Sequence, residues 1–94
     1  MGDDYIIKSN RESGNGRYDI LLLPKSQKDY GVLMEIKQLK KGTKKQRIQK
    51  ELTDALAQIN DNKYYKELNA HQINNRIELA IVFVGKEVFL KPKK

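Results

Sequence analysis

The apolar run from Leu79 to Val84 constrains the fold more than any other feature of this sequence. It reads Leu-Ala-Ile-Val-Phe-Val, with no polar residue at alternate positions. Such a run is typical of a strand that is covered on both faces. We therefore expect it to lie at the centre of a β-sheet, and we expect Gly85 and Lys86 to turn the chain into a last strand from Glu87 to Leu90.

Other strands and helices are predicted in the segments before this run. Three segments rich in β-forming residues predict strands: Tyr5–Lys8, Tyr18–Leu23 and Val32–Lys37. A capping-box pattern at residues 43–46 precedes apolar residues at helical spacing up to residue 59, and residues 63–68 predict a second, short helix. Helices between two strands suit a right-handed crossover that joins parallel strands. The predicted order is β-β-β-α-α-β-β, an α/β (α+β) fold with a mixed sheet.

Two of the predicted strands carry charged residues inside otherwise apolar sequence. Asp19 is followed sixteen residues later by Glu35-Ile36-Lys37. Side chains alternate along a strand, so Glu35 and Lys37 project to the same face about 7 Å apart. Residues 24–31 carry turn residues, and folding the two strands into an antiparallel hairpin brings Asp19 near Glu35. The pattern is that of a metal-dependent phosphodiesterase site.

The chemistry of these three side chains favours a hard divalent cation. Adjacent strands lie about 4.8 Å apart, which lets two carboxylates hold one ion between them. Mg²⁺ (or Mn²⁺) is the natural candidate, because it is commonly bound through one or two carboxylates together with substrate phosphate. Lys37 would then position the attacking water or stabilise negative charge that develops on the phosphate. The alternative is that Glu35 and Lys37 are solvent-facing residues on a hairpin with one wet face.

The positive charge of the chain is concentrated next to this predicted site. Between residues 37 and 50 the chain has no acid and seven basic residues, which equals its formal net charge of +7: Lys37, Lys40, Lys41, Lys44, Lys45, Arg47 and Lys50. Such a segment would attract a nucleic-acid backbone, DNA or RNA, without reading its sequence. Arg17 adds to it from the Gly14-Asn15-Gly16 turn. The alternative readings are a solubilising helix face and a plain hairpin turn.

The sequence around these residues also resembles a known nuclease family. The matching segments follow one another over nearly the whole chain: Ser9–Asp19, Met34–Lys37, Ala57–Ile59, Tyr64-Tyr65 and Phe83–Val88. They are similar to the PD-(D/E)XK nuclease superfamily, and more narrowly to the domain found at the C-terminal end of bacterial AAA-type ATPase-like proteins. The resemblance implies a restriction-endonuclease-like fold, with Asp19 and Glu35 as metal-binding acids and Lys37 as the catalytic lysine. It also implies that Gln58 supports the site from a helix and that the Ile36 carbonyl is a further metal ligand.

One departure from the family pattern concerns the start of the chain. The superfamily core opens with a helix that often supplies another acid, whereas here a strand follows almost at once. We therefore expect the first core helix to be absent and residues 1–94 to be a single domain excised from a longer protein. Two functions are compatible with this: a nuclease, or a catalytically inactive module that binds nucleic acid or a partner and is attached to an AAA-type ATPase. A structural domain serving that ATPase is a third possibility.

Composition excludes several other classes of protein. The 94 residues contain no cysteine, so disulfides, thiol catalysis and cysteine-ligated metals are excluded. No apolar stretch has the length of a membrane span and the start does not resemble a signal peptide, which predicts a cytoplasmic protein. The one histidine, His71, lies in a polar segment and is expected to be solvated or to cap a helix. Tyr64 and Tyr65 are expected to pack in a helix, with base stacking as the alternative.

Overall fold

The described part of the chain consists of a three-strand meander, a helical connection and a final hairpin, in that order. The computed structural model describes residues 4–12, 17–60 and 63–93, and the bounds of its elements are β1 (Tyr5–Glu12), β2 (Arg17–Pro24), β3 (Gly31–Leu39), α1 (Lys45–Asn60), α2 (Lys63–Ala70), β4 (Arg76–Val84) and β5 (Glu87–Pro92). The predicted order β-β-β-α-α-β-β is confirmed. In the described residues no helix precedes β1.

The five described strands form one mixed sheet in the order β1-β2-β3-β4-β5. Every neighbouring pair is antiparallel except β3 and β4, which are parallel. A parallel pair needs a long crossover connection, and α1 and α2 supply it, as predicted. The prediction that the Leu79–Val84 run lies at the centre of the sheet was wrong. Three strands precede the crossover and two follow it, so β3 is central and β4 lies next to the edge strand β5.

One face of the sheet carries both described helices. The helix α1 places Ile48, Leu52 and Ala55 against Ala80 and Val82 of β4, together with Val84. At its other end Ile59 packs with Leu68 of α2 over the strands β2 and β3. These side chains are spaced along α1 at helical intervals and are buried, and burying each large one stabilises the fold by about 1.5–3 kcal/mol. We refer to this side of the sheet as the covered face.

The other side of the sheet, which we call the open face, carries side chains that no described helix covers. Side chains alternate between the faces along each strand, so Ile77 and Phe83 of β4 point away from α1, and they are 42% and 37% exposed. The expectation that the Leu79–Val84 run is covered on both sides was therefore wrong. The reason is topological, because the single crossover from β3 to β4 places both described helices on the same face. None of the described helices is long and apolar enough to cross a membrane.

The end of α2 is closed by a regular C-terminal motif. The amide of Ile73 donates to the carbonyl of Leu68, and the amide of Gln72 donates to the carbonyl of Asn69. This is the Schellman pattern, in which the residue after the last helical turn adopts a left-handed conformation. Gln72 occupies that position with φ of 59°. Leu68 and Ile73 also meet in the core, so the motif fixes how the chain leaves α2 and enters β4.

The start of α1 differs slightly from the prediction. The Thr43 hydroxyl donates to the carbonyl of Lys40, and the amide of Ile48 donates to the carbonyl of Lys44. Lys44 therefore holds the N-cap position and α1 begins at Lys45, one residue later than a cap at Thr43 would place it. The basic residues that follow β3 thus lie in the loop and the first turn of α1.

Candidate active site

Two buried carboxylates lie opposite each other on adjacent strands. Asp19 of β2 and Glu35 of β3 are direct partners in the antiparallel register. Both belong to the covered face, and their residues are 5% and 1% exposed. We call them the acid pair. The alternative that Glu35 is a solvent-facing residue was therefore wrong, and the hairpin predicted from the sequence is confirmed.

The neighbouring row on the same face is basic. Arg17 and Lys37 are register partners two residues along β2 and β3 from the acid pair. The Arg17 Nη2 atom lies 3.4 Å from Glu35 Oε1, and the Arg17 side chain is only 18% exposed. Two acids and two bases thus occupy adjoining rows in a region shielded from water, where each charge acts more strongly on its neighbours than it would in bulk solvent.

The acid pair fits a divalent cation by its chemistry. Asp19 Oδ1 is buried and accepts no hydrogen bond from the described residues. A buried oxygen of this kind is costly unless something satisfies it, and carboxylate oxygens are the ligands that Mg²⁺ and Mn²⁺ prefer. The described residues contain no group of three or more His, Cys, Asp or Glu that could hold a metal. A cation at Asp19 and Glu35 would therefore complete its coordination with backbone oxygen, water and substrate phosphate.

A basic cleft adjoins the acid pair at the end of β3. It has a volume of about 300 Å³ and is lined by Lys37, Gln38, Leu39, Lys40, Thr43 and Arg47. Lys37 belongs both to this cleft and to the row beside the acid pair. Arg47 also contacts Glu51 one helical turn along α1, at 3.2 Å. The basic cleft therefore continues the predicted site towards solvent and lines it with positive charge.

The other predicted site residues lie on α1, on β3 and in the loop between them. Gln58 is exposed on α1, so its supporting role stays a prediction. Ile36 pairs with Tyr18, between the acid pair and the basic row of Arg17 and Lys37, and the ligand role of its carbonyl also stays a prediction. Four basic residues of the predicted nucleic-acid surface are exposed in the loop and the first turn of α1: Lys40, which also lines the basic cleft, Lys41, Lys44 and Lys45.

Some sequence predictions fall outside the described residues. The Gly14-Asn15-Gly16 turn is one of them, and so are the side chains of Tyr64 and Tyr65. Sequence reasoning missed the contact between Arg17 and Glu35, because it assigned Arg17 to the nucleic-acid surface. The signal was present: Arg17 and Asp19 are two positions apart on a strand, which places them on the same face.

A comparison with protein families gives a match over most of the chain. The family model of the PD-(D/E)XK nuclease superfamily matches residues 1–93. No curated protein and no solved structure matches the chain. The matched range contains the whole β2–β3 hairpin with the acid pair and Lys37, together with the crossover helices. The chain therefore belongs to the PD-(D/E)XK nuclease superfamily, and its mixed sheet is that of a restriction-endonuclease-like domain.

Proposed function

We propose that this chain is a divalent-metal-dependent nuclease domain that hydrolyses phosphodiester bonds in DNA or RNA. Membership of the superfamily indicates a nuclease-type function. The observation that carries the proposal is the buried acid pair, placed opposite each other in register with Lys37 two residues along the same face. Burying two facing carboxylates lowers stability to the extent that their charges are not compensated, and a bound cation would add to that compensation.

Each residue of the site has a defined role in this proposal. Asp19 and Glu35 hold Mg²⁺ or Mn²⁺, with the Ile36 carbonyl as a further ligand. The bound cation supplies Lewis acidity towards the phosphate and a more reactive water. Lys37 places its ammonium group beside the attacked phosphate, where it orients the water and stabilises the charge that develops on the phosphate oxygens. Gln58 supports this arrangement from α1.

The basic cleft and the loop after it bind the nucleic-acid backbone. The residues assigned to this surface are Lys40, Lys41, Lys44, Lys45 and Arg47, whereas Arg17, which the sequence also placed there, is turned towards Glu35. They carry side chains that neutralise phosphates and release counterions, so binding weakens as salt concentration rises. Contacts of this kind fix the position of the duplex and do not select its sequence. Parallel assays on duplex DNA, single-stranded DNA and RNA then identify the preferred substrate.

Cleavage assays with matched substitutions test the proposed activity. We expect Mn²⁺-dependent cleavage of labelled DNA that falls about 100-fold to 1000-fold in Lys37→Ala, the usual loss when a charge-stabilising donor is removed. Asp19→Asn should lose activity to a similar degree, about 100-fold, because a metal ligand contributes several kcal/mol. Lys28→Ala and Asp29→Asn, both in the exposed turn between β2 and β3, should keep full activity. Unchanged cleavage in Asp19→Asn and Lys37→Ala would trace the activity to a contaminating nuclease and reject the proposal.

A metal titration separates binding from turnover. Mn²⁺ broadens amide signals of nearby residues by its paramagnetism, so we expect selective broadening around Asp19, Glu35 and Ile36. This broadening should disappear in folded Asp19→Ala and remain in Asp29→Asn. Diffuse broadening that is equal in all three proteins would contradict a metal site at the acid pair.

A catalytically inactive binding module is the second candidate function. The ion pair between Arg17 and Glu35 favours it, because an arginine already neutralises one of the two acids without a metal. In that case the domain is a module, attached to an AAA-type ATPase, that binds nucleic acid or a partner. Salt-sensitive DNA binding that ignores divalent cations and survives Glu35→Ala would support this candidate over the nuclease.

A further inference from the structure

Arg17 differs from the other basic residues near the site because it is buried against the acid pair. Its side chain is 18% exposed, and its Nη2 atom lies 3.4 Å from Glu35 Oε1. Its Nε atom is buried and donates no hydrogen bond to the described residues. The ion pair is thus a long contact. It lacks the two parallel hydrogen bonds of the strongest arginine–carboxylate pairs.

The position of Arg17 makes it an internal counter-charge of the acid pair. Two facing carboxylates repel each other, and burial strengthens that repulsion. The guanidinium of Arg17 offsets part of it, since it shares the covered face with Asp19 and reaches across to Glu35. Lys37 is the register partner of Arg17, so the metal-free site holds two acids and two bases in adjoining rows. This arrangement is close to neutral without any bound ion.

A divalent cation on the acid pair would change that balance. It would bring two further positive charges to carboxylates that already face Arg17, and like charges at such distances repel strongly in a site shielded from water. The cation and the guanidinium therefore compete for Glu35. Because the contact of Arg17 is long and its Nε atom donates no hydrogen bond to the described residues, breaking it costs less than breaking a bidentate pair would.

We propose that Arg17 neutralises the acid pair when no metal is bound. Its guanidinium then pairs with Glu35, and a metal ion must displace it in order to bind. The inference rests on the proposed metal site and adds to it a residue that sets its affinity. It gives Arg17 two effects of opposite sign: Arg17 stabilises the metal-free fold and weakens metal binding. Removing a residue that merely supported the fold would lower both the stability of the metal-free chain and its affinity for metal, because a loosened site also binds metal less tightly.

Substitution of Arg17 tests its opposite effects on metal affinity and on metal-free stability together. Mn²⁺ affinity is measured by isothermal titration and by electron paramagnetic resonance of free Mn²⁺, and thermal unfolding is followed in EDTA. Arg17→Gln should bind Mn²⁺ about tenfold more tightly or better and should unfold several degrees lower in EDTA. Arg17→Lys keeps the charge and should behave nearly as the wild type. Lys28→Gln removes the same charge from the exposed β2–β3 turn and should change neither quantity, which controls for net charge.

The possible outcomes separate this inference from the proposed function. Tighter binding in Arg17→Gln supports it, and so does binding by Arg17→Gln when the wild type binds no Mn²⁺. Wild-type binding that Arg17→Gln leaves unchanged or weakens overturns the inference and leaves the nuclease proposal standing. No binding by either protein overturns both.

A measurement on the unmodified chain covers the case in which Arg17→Gln does not fold. The side-chain Nε–H signal of Arg17 is followed by nuclear magnetic resonance during a Mg²⁺ titration. It should shift in step with the amides of Asp19 and Glu35 as the guanidinium leaves Glu35. An Arg17 signal that stays unchanged while those amides shift to saturation would show that the metal does not displace it, and would overturn the inference.

Discussion

The Asp19 carboxylate is buried opposite Glu35 on the covered face. Its Oδ1 atom accepts no hydrogen bond from the described residues. A buried group in this condition lowers the stability of the metal-free fold. Groups of this kind are retained where a ligand satisfies them, and their replacement often stabilises a protein while removing its function.

Asp19→Asn should therefore stabilise the metal-free chain and remove its response to metal. The amide keeps the shape of the side chain, removes one of two facing charges and can donate a hydrogen bond to Glu35. We expect the free energy of unfolding in EDTA to rise by about 1 kcal/mol, and the stabilisation that Mn²⁺ adds to the wild type to vanish. Urea unfolding with and without Mn²⁺ measures both. Asp29→Asn is the exposed control, and a larger loss of stability in Asp19→Asn than in that control would contradict the argument.

The helix α2 ends at a left-handed position that is occupied by a residue other than glycine. A left-handed conformation costs a non-glycine residue about 1–2 kcal/mol, and Gln72 adopts it with φ of 59°. The two Schellman hydrogen bonds and the contact between Leu68 and Ile73 keep it there. Glycine is the usual residue at this position because it has no Cβ to clash.

Gln72→Gly should stabilise the chain by relieving this strain. We expect the free energy of unfolding to rise by about 0.5–1 kcal/mol, less than the full strain because glycine also gains freedom in the unfolded state. The loss of the 3.1 Å contact between the Gln72 and Gln27 side chains offsets little, since both are exposed. Gln72→Ala, which loses the same contact but keeps the strain, is the matched control in chemical denaturation. Equal stability of the glycine and alanine variants would refute this account.

At the level of the whole molecule, the sequence predicted those features that depend on residues close to one another along the chain. The hairpin that pairs Asp19 with Glu35 could be predicted because a short turn and the period of two along a strand determine it. The central position of β4 was predicted wrongly, since a continuous apolar run reports how hydrophobic a strand is and not how many strands lie beside it. The contact between Arg17 and Glu35 depends on the rotamers of two long side chains, which strand period alone does not determine.

The open face has a consequence for the thermodynamics of unfolding. Several of its apolar side chains remain in contact with water in the folded chain, among them Ile7 at 68%, Leu90 at 61% and Val88 at 52% exposure. Unfolding adds little to the hydration of such groups, and newly hydrated apolar surface is what raises the heat capacity of the unfolded state. Scanning calorimetry on dilute protein should therefore give a heat-capacity change below about 12 cal/mol/K per residue, the lower end of the usual range. A heat-capacity change well inside that range at low protein concentration would mean that the open face is not hydrated in solution. A lower heat-capacity change identifies a fold whose free energy of unfolding varies unusually little with temperature.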